Sequence, residues 1–542
     1  VEVLEEVRDW EEYADVFPIA PGEGEPAGWA LALAKSLAGL RRSLQEGGHT
    51  LASAARVMRA SVEGGRWRAL GRLEGEVERV LAGWGLASRS RAIERLAAEG
   101  TAIDRRVVLA GVADLPPVLE RALVGVEWTS LVAAPCEEAA GFDAAGRPLG
   151  VWNGRELEWP GHGEVCLCAD PRQQAAEAVR MAAVEGSASD ALALGSADDE
   201  TAAELEQAFT RAGWPAHNPA GGVISPESGW FAAWRAFLLE AGAAQAVDLL
   251  GWPCTGAMVG RRRVQRVRAL CAVRDRWLAR GRDDLAKVEG LDPRDADAVT
   301  LARETLEVLE KWRGGFLRGD FVGAMERLLE RIDPDGGMGG VRAWLGEMAP
   351  LIPGVRRGAA FWLELMTSSL GAGSREAPEE RVIDVHGWLE LPFEPGRHLI
   401  ACGLNEQRVP APVGSDTWLP DGARRLLGLA TDESRAARDA FLLRAMIEAR
   451  RSGGRVDLLL AKSSGDGDAL LPSRLLLAAS ESELPGLVRR LFAELEPPDA
   501  GLAWVADWKW RPREEEVKPR LSVTALRDYL ACPFRFYIKH VV

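Results

Sequence analysis

Between residues 255 and 282 the chain carries nine arginines, Arg261, Arg262, Arg263, Arg266, Arg268, Arg274, Arg276, Arg280 and Arg282, opposed by the single carboxylate of Asp275. Guanidinium groups at this density suit backbone phosphates, which are bound by local patches and not by net charge. The same run equally suits a helix face matched to acidic neighbours, and the residues alone leave both readings open. A second, mildly basic stretch over 505–542 interleaves Trp508, Trp510, Phe534, Phe536 and Tyr537 with its cations. Aromatic faces among cations stack on bases or fill a core.

Other reactive residue types point to structure. Cys166 and Cys168 lie two apart, which on a strand puts both on one face; with no third or fourth ligand in sight they read as small buried hydrophobes. Asp198-Asp199-Glu200 reads as the acidic start of a helix, where free amides and the dipole favour negative charge. The six histidines form no HExxH and no close zinc pair with cysteine. There is no GxxxxGK[ST], no GxGxxG after a strand and no Gly-x-Ser-x-Gly elbow, so no phosphate cradle or hydrolase nucleophile is marked out.

These residues need a large scaffold. The 542 residues, 47% hydrophobic, suit about three to five domains with real cores and exclude a disordered chain. A formal charge of -15 excludes a uniformly basic nucleic-acid coat. Seven cysteines at irregular spacing are not a disulfide framework, and together with the lack of a secretory leader or an 18-residue charge-free run they imply a cytoplasmic protein without a membrane anchor. The sequence opens at Val1 without Met and stops at Val542 within an amphipathic run, so both ends are expected to be cuts through a longer protein.

Residues 1–100 read as helical, with Trp67, Leu70, Leu73, Val77 and Leu81 along one face. Short apolar runs at Val107–Gly111 and Ser130–Ala134, with a helix over Pro116–Ala122, suit a buried parallel sheet. The grammar resumes at Val165–Cys168, capped by Asp170-Pro171 into a helix to about Val184, and at Ala191–Gly195. Gly229–Leu250 reads as one helix. Residues 251–378 hold long helical patterns, including Val299–Trp312 and Phe321–Ile332. Strands return at Ile383–Leu389, Leu399–Cys402 and Val456–Ala461, with a helix over Arg435–Arg450 between the last two. The expected architecture is α/β, interrupted by a helical insertion. A charged, proline-rich linker over 485–520 follows, and then a helix capped by Ser522 and broken at Cys532-Pro533.

Three stretches together resemble one family. Leu521–Tyr537, with Ser522, Thr524, Leu526, Tyr529, Cys532, Pro533 and Phe536, resembles the opening of RecB-type PD-(D/E)XK nuclease domains, S-x-T-x-L-x-x-Y-x-x-C-P-x-x-F. His398–Pro410, with Gly403-Leu404-Asn405-Glu406-Gln407-Arg408-Val409-Pro410, is similar to the G-L-N-E-G-x-F-P strand and loop of UvrD-like helicase folds. Arg435–Leu475 resembles the last helicase motif and the loop after it, through Arg438, Phe441, Leu442, the Arg444–Arg450 helix and Pro472-Ser473. Their order and spacing resemble the B subunits of AddAB helicase-nucleases.

The resemblance implies two P-loop-helicase-like parallel-sheet domains with helical insertions, then the truncated start of a PD-(D/E)XK domain. On it, 1–100 is a helical insertion of the first domain and 101–160 that domain's end. Residues 161–250 and 379–484 make the second domain, entered through Gln173, Gln174 and Glu177; 251–378 is its insertion, 485–520 a linker and 521–542 the nuclease start. It implies DNA end-processing and recombinational repair, with DNA and an AddA-like ATPase/nuclease subunit as partners. The expected nucleic-acid-binding residues are Arg261, Arg262, Arg263 and Arg266 of the arginine block, with Asn405, Gln407, Arg408, Arg438 and Arg450. The departures matter as much. Met446-Ile447-Glu448-Ala449-Arg450 stands where active motors read L-T-R-A-R, so Glu448 replaces the phosphate-reading arginine, and Gln407 replaces the usual glycine. A scaffold that does not hydrolyse ATP is therefore expected. The alternatives are a helicase with trimmed Walker motifs, or a structural subunit whose groove binds protein. No catalytic residue is expected within 1–542. The carboxylates and lysine that would hold Mg²⁺ and activate water are expected after Val542. Cys532 is a metal ligand only if the full protein carries a [4Fe-4S] cluster.

Overall fold

A computed structural model describes residues 1–7, 9–19, 29–101, 103–158, 162–185, 191–221, 226–260, 262–288, 292–352, 355, 357–370, 382–413, 418–495 and 522–541. The chain is a mixed α/β protein with two parallel sheets and many helices, divided into a unit over Val1–Ala493 and a second over Glu494–Val542. Arg261, Trp508 and Trp510 lie outside the described residues, as does most of the expected linker.

The small sheet pairs β1 (Val107–Ala110) in parallel with β2 (Trp128–Leu131), Val107 opposite Trp128. The second strand thus starts two residues earlier than its apolar run suggests. Among the described residues no third strand joins this sheet, and Val108 (53%) and Leu131 (55%) are exposed on one face.

The large sheet has six parallel strands: β3 (Val165–Cys168), β4 (Leu192–Ser196), β5 (Ala216–His217), β6 (Ile383–Gly387), β7 (His398–Cys402) and β8 (Arg455–Ala461), in the order β3-β8-β7-β4-β6-β5. In β4, β7 and β8 side chains are buried on both faces because helices cover both, which is why these strands read as near-continuous apolar runs. Helices Pro171–Glu185 and Asp199–Arg211 cover one face, packing Ala178, Met181, Leu205 and Phe209 on Leu194, Ile400 and Leu459. Helix Asp432–Glu448 covers the other, where Phe441, Leu442 and Met446 meet Leu399, Ala401 and Leu458. Trp152 and Phe142 pack on Phe441 at 5.1 and 4.9 Å between ring centres, so the chain after β2 belongs to this outer layer.

One polar residue interrupts β8. Asp457 is fully buried; it accepts hydrogen bonds from His398 Nε2 (2.7 Å), Arg455 Nε (2.7 Å) and the amide of Glu164 (2.9 Å), tying β7, β8 and the entry to β3 together. Burial pushes its carboxyl up, but the bonds from His398 and Arg455 outweigh it and hold the group below its ordinary 3.8. A carboxyl depressed by folding stabilises the fold above its unfolded value, and that stability is lost as pH falls through the folded one. Asp457→Asn is therefore expected to be less stable than the wild type in urea at pH 7, with the gap shrinking below about pH 4. A gap independent of pH would refute this.

Between β5 and β6, helices from Pro226 to Ser369 form their own core around Trp230, Trp234, Phe237, Leu306, Leu328 and Trp362. The expected helix over Gly229–Leu250 is two, Pro226–Leu239 and Ala243–Gly251, broken at Gly242. The N-terminal helices Trp29–Glu46 and Gly64–Gly83 bury Leu40, Leu44, Trp67 and Leu70 together with Leu419, Ala423, Leu427 and Leu429, which return from beyond β7.

Candidate nucleic-acid interface

In a parallel sheet all carboxyl ends share one edge, where ligands of open α/β folds bind. Here side chains bridge that edge. The Gly403 amide donates to Gln174 Oε1 (2.9 Å), Ser463 Oγ donates to the Ala169 carbonyl (3.0 Å), and the Gly465 amide donates to Glu200 (2.8 Å). Gln173 accepts from Ala169 N and Glu177 pairs with Arg180, so of the three residues expected to open this domain, Gln174 reaches a neighbouring strand end. Gly403 has φ +76°, and a Cβ there would stand 2.4 Å from Asp198 Oδ2, so both conformation and space call for glycine.

After Gly403 the chain makes a loop held on every side. Asn405 Nδ2 donates to the carbonyls of Ala461 (2.7 Å) and Leu471 (3.1 Å), and its Oδ1 accepts from Ala461 N (3.1 Å). The Glu406 carboxylate accepts from Arg474 N (3.0 Å) and Nε (2.8 Å); burial raises its pKa, but these bonds bring it below the ordinary value. Ser473 Oγ donates to the Val409 carbonyl, and Ala411 N donates to Asp439 Oδ2 (3.2 Å). Gln407 sits at the tip, exposed, with φ +69°. Arg408 beside it is half-buried.

Three of the expected nucleic-acid-binding residues face inward. Asn405 is 1% exposed, and its amide is used up within the loop. Arg438 is buried between Asp439 (2.8 Å) and Asp114 (2.9 Å); burial opposes its charge, and the two carboxylates hold the guanidinium above its usual pKa. Arg450 is buried and donates to the carbonyls of Gly396 (2.9 Å), Glu394 (2.7 Å) and Met446 (3.2 Å), closing the turn that leads into β7. These are polar groups satisfied inside the fold. Glu448 is exposed and pairs with Arg451 (2.7 Å).

Three arginines of the block pair with acids of the fold, and two more donate to neutral acceptors. On helix Arg263–Trp277, Arg276 pairs with Asp295, Arg274 with Asp275 (2.7 Å), and Arg266 donates to Thr305 (2.9 Å). Arg263 donates to the last carbonyls of a preceding helix, Leu250 (2.6 Å) and Gly251 (3.1 Å), where the dipole favours a cation. Arg282 pairs with Glu307 and Glu310 (3.1 and 3.4 Å). Arg262, Arg268, Arg276, Arg280 and Arg282 are all exposed, and of these Arg276 and Arg282 spend their charge on nearby acids at the surface.

Cys166 and Cys168 share a face of β3 with sulfurs 3.9 Å apart. Their hydrogen bond lowers the Cys166 thiol and, with burial, raises that of Cys168; burial first, and then the charge of Asp198, pushes Cys402 up. In native protein a thiol reagent is expected to modify the exposed Cys136 and Cys532 first and Cys168 and Cys402 only on unfolding; early modification of Cys402 would contradict the packing.

In the second unit, Ser522 caps helix Val523–Ala531 through the Ala525 amide (3.1 Å), and Cys532 is extended ahead of Pro533. Asp528 accepts from Lys539 and His540, both at 2.8 Å, which hold its carboxyl down to about 2. Among the described residues no group of three or more His, Cys, Asp or Glu is arranged to hold a metal, and Cys532 by itself supplies one ligand of the four a [4Fe-4S] cluster takes. No helix among the described residues is long and apolar enough to cross a membrane.

Two features carry no motif in the sequence. One is Asp439, the buried acceptor shared by Arg438, Trp388 Nε1 (3.2 Å) and Ala411 N; its signal was an Arg-Asp pair amid alanines and phenylalanine. The other is a 410 Å³ cleft lined by Arg147, Arg435 and Arg438 and by Glu46, Asp114 and Asp143, drawn from segments too distant in sequence to be associated beforehand. The chain matches no protein-family model and no curated protein.

Proposed function

We propose that the chain is a helicase-like scaffold of DNA end-processing and recombinational repair. It holds a DNA strand without hydrolysing ATP, ahead of a PD-(D/E)XK exonuclease domain that residues 521–542 begin, and works beside an AddA-like ATPase/nuclease subunit. The observation that carries the non-hydrolysing part is Glu448. It ends the helix between β7 and β8, exposed and paired with Arg451, at the position where the resemblance calls for a cation against phosphate. The DNA-holding part rests on the braced 403–413 loop, which presents Gln407 and Arg408 from the carboxyl edge of the sheet, and on Arg262.

Binding of the full chain to a labelled single strand is expected at low salt, with log affinity falling linearly against log salt. Replacing Arg262 and Arg408 together by glutamate is expected to weaken binding and reduce the slope by about 1.4, the effect of two lost phosphate contacts on a single strand. Arg276→Glu, which breaks an internal pair, is expected to leave the slope unchanged. No binding at low salt would overturn the reading, and ATP turnover by the chain would overturn its non-hydrolysing part.

One observation favours a structural subunit whose groove holds protein: Arg274, Arg276 and Arg282 of the arginine block are already paired with acids of their own fold. Under that alternative an AddA-like partner binds and DNA does not compete with it.

A further inference from the structure

We infer that Gln407 is the base-reading side chain of the 403–413 loop, an inference that rests on the single-strand-binding function proposed above. The turn from Asn405 to Arg408, closed by Arg408 N to the Asn405 carbonyl (3.0 Å), places its third residue at φ +69°. That conformation is free for glycine and strained for any residue with a Cβ. Gln407 nevertheless occupies it, and its amide makes no hydrogen bond within the described residues, so the strain is not offset by an internal contact.

The surroundings are already satisfied without it. Asn405 is bound to β8, Glu406 to Arg474, Val409 to Ser473 and Ala411 to Asp439. The loop is therefore a fixed platform with one unspent amide at its tip. A primary amide offers a donor and an acceptor side by side, the pattern that pairs with a base edge. Such edges are accessible in a single strand, whose bases can unstack. Leu471 lies next to this tip, joined through the Glu406 amide to its carbonyl (2.8 Å), and is 64% exposed, an apolar surface against which an unstacked base can lie. Arg408 follows directly as the cation for the adjoining phosphate. Asn405 is a positioning residue in this arrangement, and Gln407 and Leu471 meet the base.

The test uses the full chain, Gln407→Gly and Gln407→Ala, with labelled oligo-dA, oligo-dC and oligo-dT of equal length at low salt, alongside urea unfolding. Gln407→Gly is expected to raise the urea midpoint, because glycine is unstrained at this φ, while weakening binding to the preferred oligonucleotide roughly tenfold and levelling the affinities for the three. Gln407→Ala keeps the strain and loses the amide, so it is expected to show the binding loss without the gain in stability. Wild-type affinity and preference in both variants would overturn the inference while leaving the scaffold reading intact. Absence of binding by the wild type would overturn both.

Discussion

Asp439→Ala is expected to lower the unfolding free energy by about 3–5 kcal/mol, the cost of leaving a buried ion pair without one partner. The carboxylate is fully buried and joins four parts of the fold: its own helix through Arg438, the turn after β6 through Trp388, the loop after β7 through Ala411, and, through Arg438, Asp114 beyond β1. Its removal strands the Trp388 indole N–H and an amide in a dry site and leaves Arg438 with the half-exposed Asp114 alone. Asp439→Asn keeps one acceptor oxygen and is expected to be less damaging. Asp114→Ala should cost least, because water reaches that side of the pair. Urea titration of the three variants checks the ranking; a loss below about 1 kcal/mol for Asp439→Ala would mean that the guanidinium finds another acceptor.

Asn405→Ala comes next, with an expected loss of about 2–4 kcal/mol, since three hydrogen bonds go and the Ala461 amide and carbonyl lose the Asn405 side chain in a buried site, while the Leu471 carbonyl keeps the Glu406 amide. Asn405→Asp is expected to fare no better: the size is kept, but a carboxylate cannot donate to the carbonyls of Ala461 and Leu471. A local signature accompanies the global one. Amide exchange at Glu406 and Ala461 should accelerate more than exchange in helix Pro171–Glu185, because the loop comes loose from β8 before the sheet opens. Uniform acceleration throughout would show that Asn405 acts on the whole fold and not on the loop.

The carboxyl-terminal stretch of β8 shows why the strands were legible. Leu458–Ala461 is apolar without alternation, and that pattern arises where helices cover both faces of a parallel sheet. The capped helix starts at Asp198 and Ser522 follow equally local rules, since a side-chain oxygen a few residues away satisfies a free amide. β5 escaped notice because two residues carry no period, and Gly242 broke an apolar run that looked continuous.

The site divides along the same line. Sequence by itself determined that the 403–410 loop is distinctive, that Glu448 and Gln407 depart from the pattern they resemble, and that the arginines cluster, because these are statements about residue type and spacing. Tertiary structure alone decided which groups remain available to a ligand. Arg450 is spent on the carbonyls of Gly396 and Glu394, and Arg438 is enclosed by Asp439 and by Asp114, more than three hundred residues away, while Arg276 and Arg282 stay at the surface beside their acids. A charge count cannot distinguish a guanidinium in water from one neutralised inside the fold, because the difference lies in what surrounds it in space and not in what adjoins it along the chain.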